Sequence, residues 1–391
     1  MQRIGIYGGT FNPPHVGHIR GAQYALEALA LDAVLLIPDH TPPHKQLPEG
    51  SASPEQRLAM LRLAAVGAQG IQVSDLALQR EGISYTYETV EQVRESYPNA
   101  KLYLLMGSDM FASFDTWKQV QRITAQAEIA VLCRGEKGEK QRIETALENT
   151  PGQVLENPVT AISSTDLRRL LAFDCVGEFL VPEVEAFIRG NGLYGTDRDL
   201  QGLSMEALEA AVVELLNPNR VRHVLGCREA AVALAKRWGA DETDAARAAL
   251  LHDITKALDG PLQLTLCRGY GKILDDFSTK NPKTLHALTG SLVAERIFGE
   301  NPAVVAAIRS HTTGKADMDL LEKIIYVADY MEPNRDFPGV EELRELAYSD
   351  IDRALRLGLE MTLRMLKQQG RDISPESKEA LRFLTESEKK G

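Results

Sequence analysis

Cysteine is scarce in this 391-residue chain: there are four, Cys133, Cys175, Cys227 and Cys267, and no two of them form a C-x-x-C pair. That spacing excludes a clipped zinc and a redox dithiol, and leaves four reduced thiols that read as small buried hydrophobes. Long apolar runs are also missing, since none approaches the roughly 18 residues that would span a bilayer, and no membrane segment is expected. Basic residues are in deficit, with 44 Lys and Arg against 55 Asp and Glu and a net charge of -11. This balance opposes a nucleic-acid partner, which needs a basic surface, but small nucleotides remain open because a few local donors and a metal suffice for them. The start, Met1-Gln2-Arg3-Ile4-Gly5-Ile6, enters a strand pattern at once and offers no charged region, apolar core or cleavage site of a signal peptide. A cytoplasmic location is the expectation.

What is present divides into two textures. The length suggests two units, and 44% hydrophobic with 25% charged residues is ordinary for globular folds. In the first half short β-rich runs alternate with helical patterns: Arg3–Tyr7, Gly17–Ala30, Ala33–Pro38, Pro54–Val66, and later strand-like runs at Leu102–Met106 and Ile129–Cys133. Such alternation predicts a doubly wound parallel α/β sheet, Rossmann-like in type. The pattern stops near Asn191–Gly195. We therefore expect a first domain over 1–195, a polar linker over 196–203, and a second domain over 204–391. In that second domain apolar residues recur at helical spacing, as in Val221, Val224, Leu225, Ala231, Leu234 and Ala235, so an all-α fold is predicted. The eight histidines, at 15, 18, 40, 44, 223, 252, 286 and 311, direct attention to one place in each half.

In the first half the strand Arg3–Tyr7 runs into Gly8-Gly9-Thr10-Phe11-Asn12-Pro13-Pro14-His15-Val16-Gly17-His18. The glycines permit a tight turn and a close approach of ligand to backbone, and the prolines stiffen the loop before a helix start suited to phosphate. His15 and His18, three residues apart, face one side of that helix and can donate to phosphate oxygens. A second phosphate motif lies at Ser163-Ser164-Thr165, an N-cap cluster opening a helix over Asp166–Leu171, with Arg168 one turn inside. Alone, that cluster would more often be a plain cap with a solvated arginine, but its pairing with the histidine motif reverses the balance.

The run G-G-T-F-N-P-P-H-V-G-H resembles the H-x-G-H signature of the nucleotidylyltransferase superfamily. More closely, residues 1–195 resemble bacterial nicotinate-nucleotide adenylyltransferases, through Pro42-Pro43-His44-Lys45, Ser84-Tyr85-Thr86, Gly107-Ser108-Asp109, Trp117 and Ile162–Arg168. Asn12 stands where many members have Asp, and Ser108 where many have Ala. The resemblance implies transfer of AMP from ATP, which arrives with Mg²⁺, to nicotinate mononucleotide, with release of pyrophosphate. It implies that Gly8, Gly9, Thr10, Gly107, Asp109, Ser163, Ser164 and Thr165 bind ATP, and that His15, His18 and Arg168 stabilise the developing charge. It places Lys45, Tyr85, Thr86 and Trp117 at the acceptor, with Trp117 as a platform for the pyridine ring. Without the resemblance Trp117 would be read as core. A different acceptor, nicotinamide mononucleotide or pantetheine phosphate, is the alternative.

In the second half His223, His252-Asp253, His286, His311 and Asp329 each fall beside an apolar helical pattern that should bury them. Buried carboxylates and imidazoles need partners, and a metal is the simplest common one. The order His, His-Asp, Asp resembles the HD phosphohydrolase superfamily. Residues 248–256, 311–314 and 328–335 are similar to HD-class diadenosine-tetraphosphate hydrolases. That resemblance implies one metal on His223, His252, Asp253 and Asp329, a second on His286, His311 and a bridging Asp253, and Asp253 as catalytic. One or two iron ions are implied, and manganese or zinc would suit the same ligands. Lys256 and Arg335 are candidates to hold phosphate, and dinucleoside polyphosphates are the implied substrates. The alternative is a metal- and nucleotide-sensing module without catalysis. The sequence leaves the oligomeric state open, a homo-oligomer included.

Overall fold

The alternating pattern of the first half builds a parallel sheet. The computed structural model describes the chain except for residues 44, 45, 137, 149, 159, 161 and 389–391 and the side chains of 387 and 388. It divides into two units, Met1–Arg198 and Asp199–Gly391.

In the first unit the elements run β1 (Arg3–Gly9), α1 (Val16–Ala28), β2 (Ala33–Pro38), α2 (Pro54–Ala64), β3 (Ile71–Val73), α3 (Thr86–Ser96), β4 (Lys101–Gly107), α4 (Ser108–Phe111), α5 (Val120–Thr124), β5 (Ala127–Leu132), α6 (Glu139–Ala146), β6 (Gly152–Leu155), α7 (Ser164–Ala172) and α8 (Pro182–Gly190). The six strands lie in the order β3-β2-β1-β4-β5-β6, and every pairing is parallel. A sheet covered on both faces explains why β2 is apolar throughout: Leu35 and Ile37 enter one core with Ile4, Ile6, Leu102 and Leu104, while Val34 and Leu36 enter the other with Tyr103 and Leu105. The chain winds from β1 to β2 and β3, then crosses to β4, which pairs with the other edge of β1. Between β1 and β4 lies the topological switch point, where open α/β sheets bind ligands at their carboxyl ends. The strands β3 and β6 are absent from the sequence pattern because each is short and Gly152-Gln153-Val154-Leu155 holds only two apolar residues.

Among the described residues the second unit has helices and no strand: α9 (Met205–Leu215), α10 (Pro218–Trp238), α11 (Glu242–Leu251), α12 (Gly260–Gly269), α13 (Asp276–Lys280), α14 (His286–Arg296), α15 (Pro302–Ser310), α16 (Leu320–Met331), α17 (Val340–Ser349), α18 (Ile351–Gln368) and α19 (Pro375–Glu388). Asn217 caps α10 and Gly239, at φ 80°, ends it in the left-handed region open to glycine. The buried face of α10 includes His223, Cys227, Ala231 and Leu234 and packs on the alanine-rich α11. Small residues there let the two helix axes approach, which brings His223 beside the end of α11 at His252. No helix among the described residues is long and apolar enough to cross a membrane.

Candidate functional site

At the carboxyl end of β1 the outgoing loop is fixed by a buried arginine. Arg57 of α2 has no exposed surface and donates to the carbonyls of Thr10, Asp39 and His40 at 2.7, 2.7 and 2.9 Å. One guanidinium thus satisfies three carbonyls that the ends of β1 and β2 leave without a ladder partner. Burial raises the Asp39 carboxyl to about 6, against the pull of Arg57. Beyond Gly8, Gly9 and Thr10, Asn12 is buried; its amide donates to Ser51 Oγ at 2.9 Å and accepts from the Tyr194 hydroxyl at 2.7 Å. Neither Arg57 nor Tyr194 stood out in the sequence, because only the tertiary fold brings them under this loop.

His15 caps α1 and His18 is the third residue of the helix. Their rings lie 3.7 Å apart between centroids, and the His15 backbone N–H donates to His18 Nδ1 at 3.1 Å. With Nδ1 accepting, the neutral ring of His18 carries its proton on Nε2, where it can serve a ligand. Burial, reinforced by the positive charge of Arg134, lowers His18 to about 3; His15 is held well below its ordinary value by burial, then by His18 and Arg134. Both rings are therefore neutral at pH 7. Arg134 follows β5 and pairs with Asp109 Oδ2 at 3.1 Å, with about half of each side chain exposed. The sequence pattern overlooked it, although β5 lies beside β4 in register Gly107↔Leu132, which brings Arg134, two residues past that end, to Asp109. A Cβ on Gly107 would stand 2.5 Å from Asp109 Oδ1, so glycine makes room for that carboxylate.

The second phosphate motif meets the same loop. Ser163 caps α7, its Oγ accepting from the Asp166 N–H at 3.1 Å, and the helix begins at Ser164. Ser164 Oγ donates to the Pro13 carbonyl at 3.0 Å, while Arg168 donates to the Asn12 carbonyl at 2.7 Å and to Thr165 Oγ1 at 3.2 Å. Segments 151 residues apart are thus joined at Asn12-Pro13. Farther along the sheet edge, Tyr85 caps α3, Thr86 opens that helix, and Lys118 lies 4.0 Å over the Tyr85 ring. Trp117, beside Lys118 in sequence, is half-buried, packs on the sheet core and meets Phe114 edge-on at 5.3 Å. Lys45 lies outside the described residues. The His40 backbone N–H donates to Ser84 Oγ at 2.8 Å.

The second unit gathers all six expected ligands from five places: His223 on α10, His252-Asp253 after α11, His286 opening α14, His311 ending α15 and Asp329 on α16. Asp253 is 1% exposed and stands between two groups. Its Oδ2 lies 3.7 and 3.5 Å from Nε2 of His223 and His252, and its Oδ1 lies 3.5 and 3.6 Å from Nε2 of His286 and His311. Asp329 Oδ1 is 3.2 Å from His223 Nε2. Each imidazole is oriented from behind: Nδ1 faces the carbonyl of Ala249 at 2.6 Å for His252, Lys283 at 3.0 Å for His286 and Ile308 at 2.7 Å for His311, and Glu332 Oε1 at 3.2 Å for His223. The four Nε2 atoms consequently point inward as acceptors, the usual disposition of metal-binding histidines.

Burial holds His252 and His286 well below their ordinary range and lowers His311 to about 4, so these rings are neutral and can ligate. Burial opposes ionisation of Asp329, but the imidazoles that surround it, His223 first, and the Arg335 guanidinium prevail and hold it well below the carboxylate range. Cations stand around this cluster: Arg220 pairs with Asp253 Oδ2, Lys256 Nζ lies 3.6 Å from Asp253 Oδ1, and Arg335 donates to Asp329 Oδ1 at 2.8 Å. Neither oxygen of Asp253 has a well-directed hydrogen bond, and buried acceptors facing one another fit divalent cations. Arg220, one turn before His223, is the member of this set that sequence reading overlooked.

A parallel sheet with a glycine and histidine loop at its switch point, followed by a helical histidine and aspartate centre, agrees with two family models: residues 6–170 match the cytidylyltransferase-like family and residues 220–334 match the HD domain. A probable nicotinate-nucleotide adenylyltransferase of Neisseria meningitidis is 37% identical over 201 residues, which cover 50% of this chain and 99% of that protein. Another, from Desulfatibacillum aliphaticivorans, is 37% identical over 218 residues, covering 49% of this chain and all of its own length. By its first half this chain belongs to the nicotinate-nucleotide adenylyltransferase family, and it carries an HD domain in its second. A solved structure of a predicted HD superfamily hydrolase involved in NAD metabolism from Clostridium acetobutylicum is 35% identical, covers 47% of this chain and 98% of its own, and has a TM-score of 0.46.

Proposed function

We propose that the chain is bifunctional: the first unit transfers AMP from ATP to nicotinate mononucleotide, and the second hydrolyses diadenosine tetraphosphate symmetrically to ADP. The observation that carries the first activity is the convergence of the His15–His18 pair and the α7 start on Asn12-Pro13 at the switch point. Gly8, Gly9, Thr10, Gly107, Asp109 and Ser163 to Thr165 would line the ATP site, with Mg²⁺ entering as part of that substrate. An oxygen of the acceptor phosphate attacks the α-phosphorus in line, and the bond to the pyrophosphate oxygen breaks. No protein nucleophile is needed, because positioning and charge stabilisation suffice for phosphoryl chemistry of this kind. His18 Nε2–H donates to the non-bridging oxygen that gains charge, and Arg168 and Arg134 offset the charge on the departing pyrophosphate. Lys45, Tyr85, Thr86 and Trp117 are assigned to the acceptor, in keeping with the names of the relatives. Pyrophosphate release measured with nicotinate mononucleotide, nicotinamide mononucleotide and pantetheine phosphate in turn tests the acceptor, and a preference for either of the last two would replace it.

In the second unit His223, His252, Asp329 and Asp253 Oδ2 would hold one divalent ion, and His286, His311 and Asp253 Oδ1 a second, a partition that rests on the distances of each imidazole from the two oxygens of Asp253; iron, manganese and zinc all suit these donors. Bound ions would polarise a phosphoryl oxygen and supply an activated water. Arg220, Lys256 and Arg335 then face the polyphosphate, and their charges orient its central phosphates. We take residues 196–203 as the joint between two independent catalysts. Chromatography of the products from diadenosine tetraphosphate, using the full chain with His18→Ala to silence the first unit, decides the matter. ADP alone supports symmetric attack. ATP with AMP refutes it, and no turnover with iron, manganese or zinc favours a sensing module.

A further inference from the structure

The two halves of the histidine and aspartate centre are not equivalent, and the difference lies in what already partners each imidazole. On the side of Asp253 Oδ1, both rings have donors. Lys256 Nζ reaches His286 Nε2 at 2.6 Å, and the Thr312 hydroxyl stands 2.9 Å from His286 Nε2 and 3.1 Å from His311 Nε2, so that with Lys256 serving His286 its one hydrogen is left for His311. On the side of Asp253 Oδ2, the Nε2 atoms of His223 and His252 face each other at 3.3 Å, with Asp329 Oδ1 at 3.2 Å from the first and 3.9 Å from the second. These are all acceptors when the rings are neutral, and Arg220 and Arg335 reach only the carboxylate oxygens. The first pair is satisfied by the protein alone, whereas the second lacks a cation between its rings.

The groups behind the rings sharpen the contrast. Three of the histidines rest on backbone carbonyls, but His223 rests on Glu332, a carboxylate 1% exposed. Glu332 is itself fixed by the Asn334 backbone N–H at 2.7 Å and the Asn334 side-chain amide at 2.8 Å. Its seat depends on Gly226, in the interior of α10, where glycine is otherwise unfavourable: a Cβ there would stand 2.5 Å from Glu332 Oε2. A carboxylate accepting from Nδ1–H makes the Nε2 lone pair more basic, and so a stronger metal ligand, than a neutral carbonyl does.

We infer that the centre is asymmetric, the site of His223, His252 and Asp329 binding a divalent cation tightly and that of His286 and His311 weakly, with Glu332 as the positioning residue that sets the difference. The inference rests on the two-ion reading above. Lys256 must leave His286 for the second ion to bind, and a polyphosphate arriving in the site gives it a new partner, so the weaker site fills with substrate.

The test is titration of the metal-free full-length chain with Mn²⁺, free Mn²⁺ being read from its electron paramagnetic resonance signal. Two affinity classes are expected. Glu332→Gln, which keeps the side-chain shape but removes the charge, should weaken the tighter class by about 10- to 100-fold and leave the weaker one unchanged. Gly226→Ala should act in the same direction. Lys256→Met should tighten only the weaker class, and it stays decisive should either of the other variants fail to fold. Two equal sites in the wild type, or equal effects of these variants on both classes, overturn the asymmetry. A wild-type chain that binds no Mn²⁺ overturns the two-ion reading and the asymmetry with it.

Discussion

The role assigned to His18 depends on which of its nitrogens works, and paired substitutions separate them. Its Nδ1 accepts the His15 N–H and so belongs to the fold, which leaves Nε2–H for the substrate. Asn in place of His18 puts an amide oxygen near the position of Nδ1 and lacks the distal donor; Gln extends an amide N–H toward the position of Nε2 and loses the near acceptor. Loss of one preorganised donor to a developing oxyanion costs about 10²- to 10³-fold in kcat, or about 2.7–4 kcal/mol of transition-state stabilisation. His18→Asn should therefore fold normally and lose that much. His18→Gln should retain more activity while losing stability by about 1–3 kcal/mol, the cost of leaving one buried N–H unpaired. Because the ring titrates near 3, protonation is not required, and the wild-type-to-Asn ratio of kcat/KM should stay flat between about pH 6 and 9. Steady-state pyrophosphate release measures both. Equal losses in the two variants, or a ratio that climbs as pH falls through the ordinary histidine range, would refute the assignment.

Arg57→Met should destabilise the first unit by about 3–6 kcal/mol, since it leaves three buried carbonyls without their donor, and calorimetry of the full chain should show its transition shifted down alone. Asp39 has a folded pKa of about 6 against an ordinary 3.8, so the native state takes up its proton between these values. Stability from this group rises as pH falls across that window and is lost as pH climbs back through 6, by at most about 3 kcal/mol. Asp39→Asn should remove the slope, which melting curves at several pH values would detect; an unchanged slope would place the titration elsewhere. Trp117→Ala should raise the KM for nicotinate mononucleotide more than that for ATP, whereas equal losses would mark it as a core residue, as its contact with Phe114 permits. Asp253→Ala should abolish phosphohydrolysis and leave adenylyl transfer intact, checked by assaying both reactions on one preparation.

The sequence by itself determined the doubly wound class, the helical second half and the Ser163 cap, and it singled out the His15–His18 pair and the histidines and aspartates of the second unit, because each is written in local terms: a period of two or 3.6, a capping hydroxyl, a histidine motif. It determined the strands β1, β2, β4 and β5 to within two residues at either end, since runs such as Val34-Leu35-Leu36-Ile37 are apolar on both faces. It did not determine β3 and β6, which are too short to show a period. Tertiary structure alone decided which histidine lone pairs meet, that Asp253 stands between two pairs, that Glu332 backs His223, and that Arg57, Arg134, Tyr194 and Arg220 join the sites. The physical reason is common to all of these. A polar side chain is placed by the group it pairs with across the fold, and a partner more than a hundred residues away, as Glu332 is from His223, leaves no periodic mark near either residue.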